Sequence, residues 1–291
     1  MKTTRTGEFP IGFRRAWSEW QKDLEGLVSW AKANDFAFID LGNTADALAR
    51  EVTEFGLPIG SVDLPSWQSL LASDSAKRSE AVGEAIAYIE KVCAVTGPMR
   101  FFVVMMSDDP ERPAKERFAN MVDAFGRLAP ALEKAESQVV IEGYPGRKSL
   151  CCTPETVRAF FKEVPSPSMG YNYDPSHLVR LGIDPLRFLE EFADRIHHVH
   201  GKDTWLYHEE RYEYGIEQRS MAGKSHQFGG ELWRYTLPGR GVCDWTAIFK
   251  TLQAANYQGR VSIELEDEEF NGTKEGEQRG LLESRDFLAE T

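Results

Sequence analysis

A chain of 291 residues with 46 acidic against 34 basic side chains, a net charge of −12, lacks the basic footprint that a nucleic-acid backbone requires. Its 42% hydrophobic and 27% charged residues are ordinary for a globular protein, and its length suits a single α/β barrel of about 250 residues with modest insertions. The longest aliphatic-aromatic run, residues 101–106, is too short to span a bilayer.

The opening MKTTRTGEFPIGF has no apolar core of a signal peptide. Cys93, Cys151, Cys152 and Cys243 form no C-x-x-C pair, which argues against a cysteine zinc site or a disulfide framework. The expectation is a reduced, cytoplasmic setting with no membrane partner.

Hydrophobic pattern and breakers divide the chain into strand–helix units. Strands are predicted at 9–13, 36–41, 59–64 and 100–106, followed by helical patterns through Leu24 to Ala31, at 45–55, 76–95 and 114–135. A fifth strand at 138–142 precedes a helix at 155–162, and a sixth at 169–174 precedes one at 185–192. The seventh strand covers 195–200, its helix 244–255, the eighth strand 260–265, and a last helix 276–288. Eight units of roughly 30 residues point to a closed, parallel (β/α)8 barrel spanning 1–291 as one domain. No G-x-G-x-x-G follows the first strand, which disfavours an open dinucleotide-binding sheet.

The rhythm breaks at about 204–240, an irregular insertion after strand seven holding Trp205, Tyr207, Tyr212, Tyr214, Phe228, Trp233 and Tyr235. A stretch of this length in a compact domain is expected to be a lid or a partner surface, and its aromatic content argues against disorder.

Barrel active sites lie at the carboxyl ends of the strands. Strand five ends in Glu142, strand six in Asp174, strand seven in His200, and strand eight holds Glu264. Three carboxylates and one imidazole suit a divalent ion, Mn²⁺ first, with Mg²⁺, Co²⁺ or Zn²⁺ as alternatives. Buried together without a cation, the carboxylates would repel one another. Each has a plainer reading: Glu142 and Glu264 as rim partners of Arg147 or Lys202, Asp174 as a helix cap before Pro175, His198 as a packed second-layer ring, and Asp244 as an N-cap. Their joint occurrence at four successive strand ends favours the metal.

The motifs DPSH, HVHGKD, LPGRGVCDW and VSIELED, in this order, resemble the sugar phosphate isomerase/epimerase family of xylose-isomerase-like TIM barrels, over about residues 9–267. That superfamily includes ketose 3-epimerases, hydroxypyruvate isomerases, inosose dehydratases and, more distantly, endonuclease four. The resemblance implies metal ligation by Glu142, Asp174, His200 and Glu264, with Glu142 and Glu264 as the acid/base pair. It also implies substrate contacts from His177 and Arg240, and Lys202 reads as a further substrate-orienting donor. Gly143 stands where many relatives carry Asn, and Gly201 where Ala is common, which bears on substrate identity.

The expected activity is a metal-dependent isomerase or epimerase moving a proton α to the carbonyl of a ketose or keto-sugar. No glycine-rich phosphate cradle follows strands seven or eight, so an unphosphorylated substrate is expected. Loss of a β-hydroxyl at the same site would make a dehydratase of a keto-sugar or keto-inositol. A non-catalytic barrel subunit of a larger complex is the third reading, and a multi-metal phosphodiesterase would need more than six histidines. The expected partner is a small sugar, with self-association left open.

Overall fold

Alternating apolar residues build eight parallel strands that close into a barrel. In the computed structural model, which describes residues 1–146, 148–217 and 220–291, these are β1 (Ile11–Arg14), β2 (Ile39–Leu41), β3 (Ile59–Asp63), β4 (Arg100–Val104), β5 (Gln138–Glu142), β6 (Met169–Tyr173), β7 (Ile196–Gly201) and β10 (Val261–Ile263). Around the barrel they run β1-β10-β7-β6-β5-β4-β3-β2. Closure pairs Ile11 with Val261, and the seam continues where Val261 meets Val199. The (β/α)8 expectation holds, and the fold is a single TIM barrel. Among the described residues no helix is long and apolar enough to cross a membrane.

Outer helices are α1 (Leu24–Ala33), α2 (Ala45–Glu54), α4 (Ser75–Thr96), α5 (Ala114–Lys134), α6 (Pro154–Glu163), α8 (Pro185–Phe192), α10 (Trp245–Ala254) and α11 (Lys274–Glu290). Aspartates start many of them: Asp74 accepts from the amides of Ala76 and Lys77, Asp184 from Leu186 and Arg187, and Asp244 from Ala247, as expected of N-caps. Two short helices, α3 (Trp67–Leu70) and α7 (Pro175–Leu181), were not legible as separate elements. Both follow directly from strand ends and lie at the barrel mouth.

Side chains on a strand alternate between faces. Outward residues such as Phe13, Leu41, Val103, Ile141, Tyr171, Val199 and Ile263 join the helices in the main apolar core. Inside the barrel, Phe102, Val104 and Val140 form a separate small cluster, and Asp40, Asn172, His198, His200 and Ser262 are buried there. This polar interior is unusual for a fold whose centre is normally filled with branched aliphatics.

The segment after strand seven is more ordered than its composition suggested. Strand β8 (Asp203–Leu206) pairs antiparallel with β9 (Trp233–Thr236), so that Thr204 faces Tyr235 and Trp205 faces Arg234. A short helix, α9 (His208–Tyr214), sits between them. The expected irregular insertion is a two-stranded ribbon with an excursion, and long-range backbone pairing is what its local polarity concealed.

The interior packs tightly at its lower end. A Cβ at Gly12 would lie 2.4 Å from the Phe38 carbonyl oxygen and 2.6 Å from its ring. Gly12→Ala should therefore destabilise the fold by about 1–3 kcal/mol through overpacking. Urea unfolding checks this, and an unchanged midpoint would show that Phe38 does not fill that space.

Candidate metal centre and active site

The cluster assembles because neighbouring strands end in register. Glu142 closes β5, Asp174 follows β6, His200 lies near the end of β7, and Glu264 comes one residue after β10. One ligand-type atom from each of the four lies within 4.8 Å of the others. The predicted strand to residue 265 ends at Ile263, so Glu264 leaves the sheet at the rim instead of lying within it.

Asp174 has two duties. Its Oδ1 caps α7 by accepting from the Ser176 amide at 2.9 Å and hydroxyl at 2.6 Å. Its Oδ2 is buried without a hydrogen-bond partner and faces Lys202 Nζ at 3.2 Å. Helix cap and site residue are therefore compatible, one oxygen for each.

Glu142 Oε2 accepts from Asn172 Nδ2 at 2.7 Å, and Oε1 lies 2.9 Å from His177 Nε2. His200 Nδ1 stands 2.8 Å from Glu142 Oε2 and 3.4 Å from Glu264 Oε2, yet neither ring nitrogen makes an aligned hydrogen bond. The His200 ring stacks on Phe102 at 5.5 Å, which fixes its plane.

Lys202, almost fully buried, makes close contact with Glu264 Oε2 and lies 3.0 Å from Glu266. Its ammonium sits 4.5 Å over the Tyr235 ring. Arg14 binds Asp63 through two parallel bonds of 2.7 Å, approaches Glu264 Oε1 at 3.4 Å, and stacks on Phe102 at 4.5 Å. Beside Arg14 opens a cavity of about 440 Å³, lined by Trp17, Asn43, Asp63, Trp67, Gln68 and Met106.

These charges set the protonation. Burial and Glu264 would push the Glu142 carboxyl up, but the charge of His200 at 2.8 Å and the hydrogen bond from His177 hold it below the carboxylate range. Burial likewise raises Glu264, and Lys202, His200 and Arg14 overcome it, leaving it well below its ordinary value. Burial lowers the His200 imidazolium, yet Glu264 and Glu142 prevail and raise it to about 10. For Lys202, burial lowers and the carboxylates of Asp174, Glu264 and Glu266 raise, with a net upward shift. In the ligand-free chain, a proton on His200 and the Lys202 ammonium stand where a cation's charge would be.

The donor set fits a divalent cation. Three carboxylates and an imidazole converge, and one carboxylate oxygen and both imidazole nitrogens are buried without hydrogen bonds. A buried site with unpaired polar atoms is costly unless something binds them. Oxygen donors with a single nitrogen suit hard or borderline ions.

Other expected residues fall in different places. His177, on α7, lies in the cluster, bridging Glu142 and Tyr235. His198 lies deeper in the barrel, where its Nε2 meets Asp40 Oδ2 at 2.8 Å with both side chains fully buried. Burial holds the His198 imidazole low against the pull of Asp40, so a neutral ring donates to a carboxylate.

Arg240 is not brought to the cluster. Its half-exposed guanidinium reaches Glu283 at 2.7 Å and Glu269 at 3.4 Å, and it stacks on Phe270. It lines a separate cavity of about 580 Å³ with Trp205, Tyr207, Arg234, Thr236 and Glu269. Acidic residues on α11 and in the loop after β10 outbid the site for its charge, which motif position alone could not reveal. Arg147 lies outside the described residues.

Sequence reasoning missed Arg14, Asp40, Asp63, Asn172 and Tyr235. A signal existed for two of them: Asp40 and Asp63 are charged residues within otherwise apolar predicted strands, whereas Arg14 lies one residue past the predicted first strand, which in the structure runs on to include it.

His200 provides a pH test. Its proton affinity is raised on folding, so its contribution to stability is complete below the ordinary value of 6.5 and is lost as pH rises through about 10. Metal-free protein should lose stability to urea across that window, and His200→Asn should flatten the profile. A flat profile in the parent protein would show that His200 does not hold the proton.

The comparisons agree with this architecture. The profile of the xylose isomerase-like TIM barrel family matches residues 25–291. An uncharacterized protein, YfiH, of Bacillus subtilis (strain 168) is 31% identical over 162 residues, covering 55% of this chain and 47% of that protein. An inosose dehydratase of Geobacillus thermodenitrificans (strain NG80-2) is 27% identical over 154 residues, 53% of this chain and 49% of the relative. The matches thus span about half the length of these curated relatives.

Among solved structures, D-psicose 3-epimerase with D-tagatose from Clostridium cellulolyticum H10 superposes with a TM-score of 0.70 at 15% identity, covering 97% of this chain and 100% of that one. The 3-keto-D-glucoside 4-epimerase YcjR from E. coli gives 0.69 at 16%, covering 96% and 98%. At these identities the likeness is one of fold. The family match covers most of the chain, and the chain belongs to the xylose isomerase-like TIM barrel family.

Proposed function

We propose that this protein is a divalent-metal-dependent sugar isomerase or epimerase, moving a proton α to the carbonyl of a ketose or keto-sugar. The observation that carries the reading is the order of the four donors around the barrel. Glu142 on β5 and Glu264 after β10 flank Asp174 and His200, which come from β6 and β7 between them. Two ionised carboxylates on opposite flanks of a cation site suit proton removal from one side of a carbon and return from the other.

The cation would be held by Glu142, Asp174, His200 and Glu264, with Mn²⁺ the first choice, and would supply Lewis acidity toward the substrate's oxygens. The chain's own groups do the rest. Glu142, kept ionised and oriented by Asn172 and His177, accepts the α-proton in one direction. Glu264, held between Lys202 and Arg14, serves the opposite face. The Lys202 ammonium offers hydrogen bonds to negative charge developing on a substrate oxygen. Phe102 and Tyr144 pack against His200 and His177 respectively, limiting water around the reacting groups.

A second reading, a dehydratase acting on a keto-inositol or keto-sugar, draws support from the curated relatives named inosose dehydratase. Both reactions begin with the same proton abstraction. They part on whether a β-hydroxyl leaves.

The test uses metal-loaded protein with a panel of ketoses and keto-inositols in D₂O, followed by NMR and mass spectrometry. Epimerisation should place one solvent deuteron on the inverted carbon, whereas dehydration should yield a product lighter by one water. Glu142→Gln and Glu264→Gln should each cut turnover by about 10²–10⁴-fold with the fold intact. Full activity in either variant would refute the two-carboxylate mechanism. Protein purified without chelator should carry a divalent ion by elemental analysis; finding none, and no stabilisation on adding Mn²⁺, would refute the metal.

A further inference from the structure

The ribbon strand β9 sends Tyr235 into the cluster, where it closes a line of hydrogen bonds. Arg180 Nη1 lies 3.1 Å from the Tyr235 hydroxyl, that oxygen lies 2.7 Å from His177 Nδ1, and His177 Nε2 lies 2.9 Å from Glu142 Oε1. His177 and Tyr235 are both buried. The polarity of the whole line follows from its two ends.

A guanidinium can only donate, so the Tyr235 oxygen accepts from Arg180. Burial raises the phenol's pKa against the pull of Lys202 and Arg180, so the hydroxyl keeps its proton. That proton points at His177 Nδ1, which therefore accepts. At the other end, an ionised Glu142 can only accept, so His177 donates from Nε2. Every link joins a donor to an acceptor. The opposite tautomer would set N–H against O–H at 2.7 Å and a nitrogen lone pair against a carboxylate oxygen at 2.9 Å.

The ribbon also holds the start of the line. Arg180 lies 4.4 Å over the Trp233 ring and 5.7 Å from that of Tyr144, and Trp233 packs on Tyr235 at 4.9 Å. Two aromatic residues of β9 thus hold the arginine, and one of them passes its polarity to the histidine.

We infer that Tyr235 is a positioning residue supplied by the inserted ribbon, which fixes the His177 ring with its proton on Nε2 and thereby holds Glu142 Oε1 in place. The catalytic consequence rests on Glu142 transferring protons as proposed above. The hydrogen-bond polarity does not.

The experiment separates the two. Long-range ¹H–¹⁵N NMR on ¹⁵N-histidine protein loaded with diamagnetic Mg²⁺ reads the tautomer directly, with the His177 signals assigned from His177→Gln. The parent protein should show His177 protonated on Nε2, and Tyr235→Phe, which keeps the ring under Lys202, should retain that proton, still required by Glu142, while the Nδ1 resonance moves downfield to that of a nitrogen accepting no hydrogen bond. Arg180→Met should move the Nδ1 resonance in the same direction by freeing the Tyr235 hydroxyl to rotate. With a sugar that is turned over, Tyr235→Phe should lower kcat about tenfold while KM stays within about twofold.

A proton on Nδ1 in the parent overturns the inference, as does an unchanged Nδ1 resonance in both variants. A shifted Nδ1 resonance with unchanged kcat would overturn the positioning role. If no sugar is turned over, the function proposed above fails, and the spectra still decide whether Tyr235 sets the histidine.

Discussion

Repulsion among three converging carboxylates is the constraint on which the site depends. Glu142 and Asp174 are buried and Glu264 is 16% exposed at the rim, their oxygens gather within 4.8 Å, and nothing in the apolar packing asks for them there. Their presence has to be offset by positive charge or donated hydrogen bonds. The surrounding residues read as answers to that demand. Lys202 is buried to its ammonium, His200 keeps a proton far above its ordinary range, and Arg14 is clamped by Asp63 so that its remaining edge faces Glu264. Remove the carboxylates and each of these becomes a costly buried cation.

The same demand explains the polar barrel interior. Asp40 and His198 form a hydrogen-bonded pair one layer below the site, and Asn172 donates upward to Glu142. These two contacts pair one atom of each group, while Asp40 Oδ1, Asn172 Oδ1, His198 Nδ1 and the Ser262 hydroxyl stay buried without aligned hydrogen bonds, and all their strand positions are fixed by barrel register. Backbone closure and side-chain chemistry are therefore two aspects of one arrangement.

How much of this was legible from the chain depends on range. The strands announced themselves because apolar alternation is local, and four donor residues at successive strand ends pointed to one rim once a closed barrel was assumed. Asp174 showed its capping role through Pro175 alone. The fate of Arg240 was not legible, because the acids that capture it, Glu269 and Glu283, lie 29 and 43 residues further on. The ribbon was hidden for the same reason: Thr204 and Tyr235 pair across an excursion with no apolar rhythm of its own. Arg14 and Asp63 were overlooked because a charged residue at a strand end is common, and only their mutual grip gives them meaning.

Barrel closure has a consequence for when this site can exist. Glu142, Asp174 and His200 come from β5, β6 and β7, which are adjacent in both chain and sheet, so three donors can gather while the chain is incomplete. The fourth, Glu264, follows β10, which is the strand wedged between β7 and β1, and Arg14, which steadies it, lies at the other side of that seam. A chain that has not joined its last strand to its first holds three donors and an open edge. Any cation that prefers four donors to three draws the equilibrium toward the joined form by mass action. Ligand occupancy would then act as a latch on chain topology, tying the retention of a closed barrel to the supply of the ion.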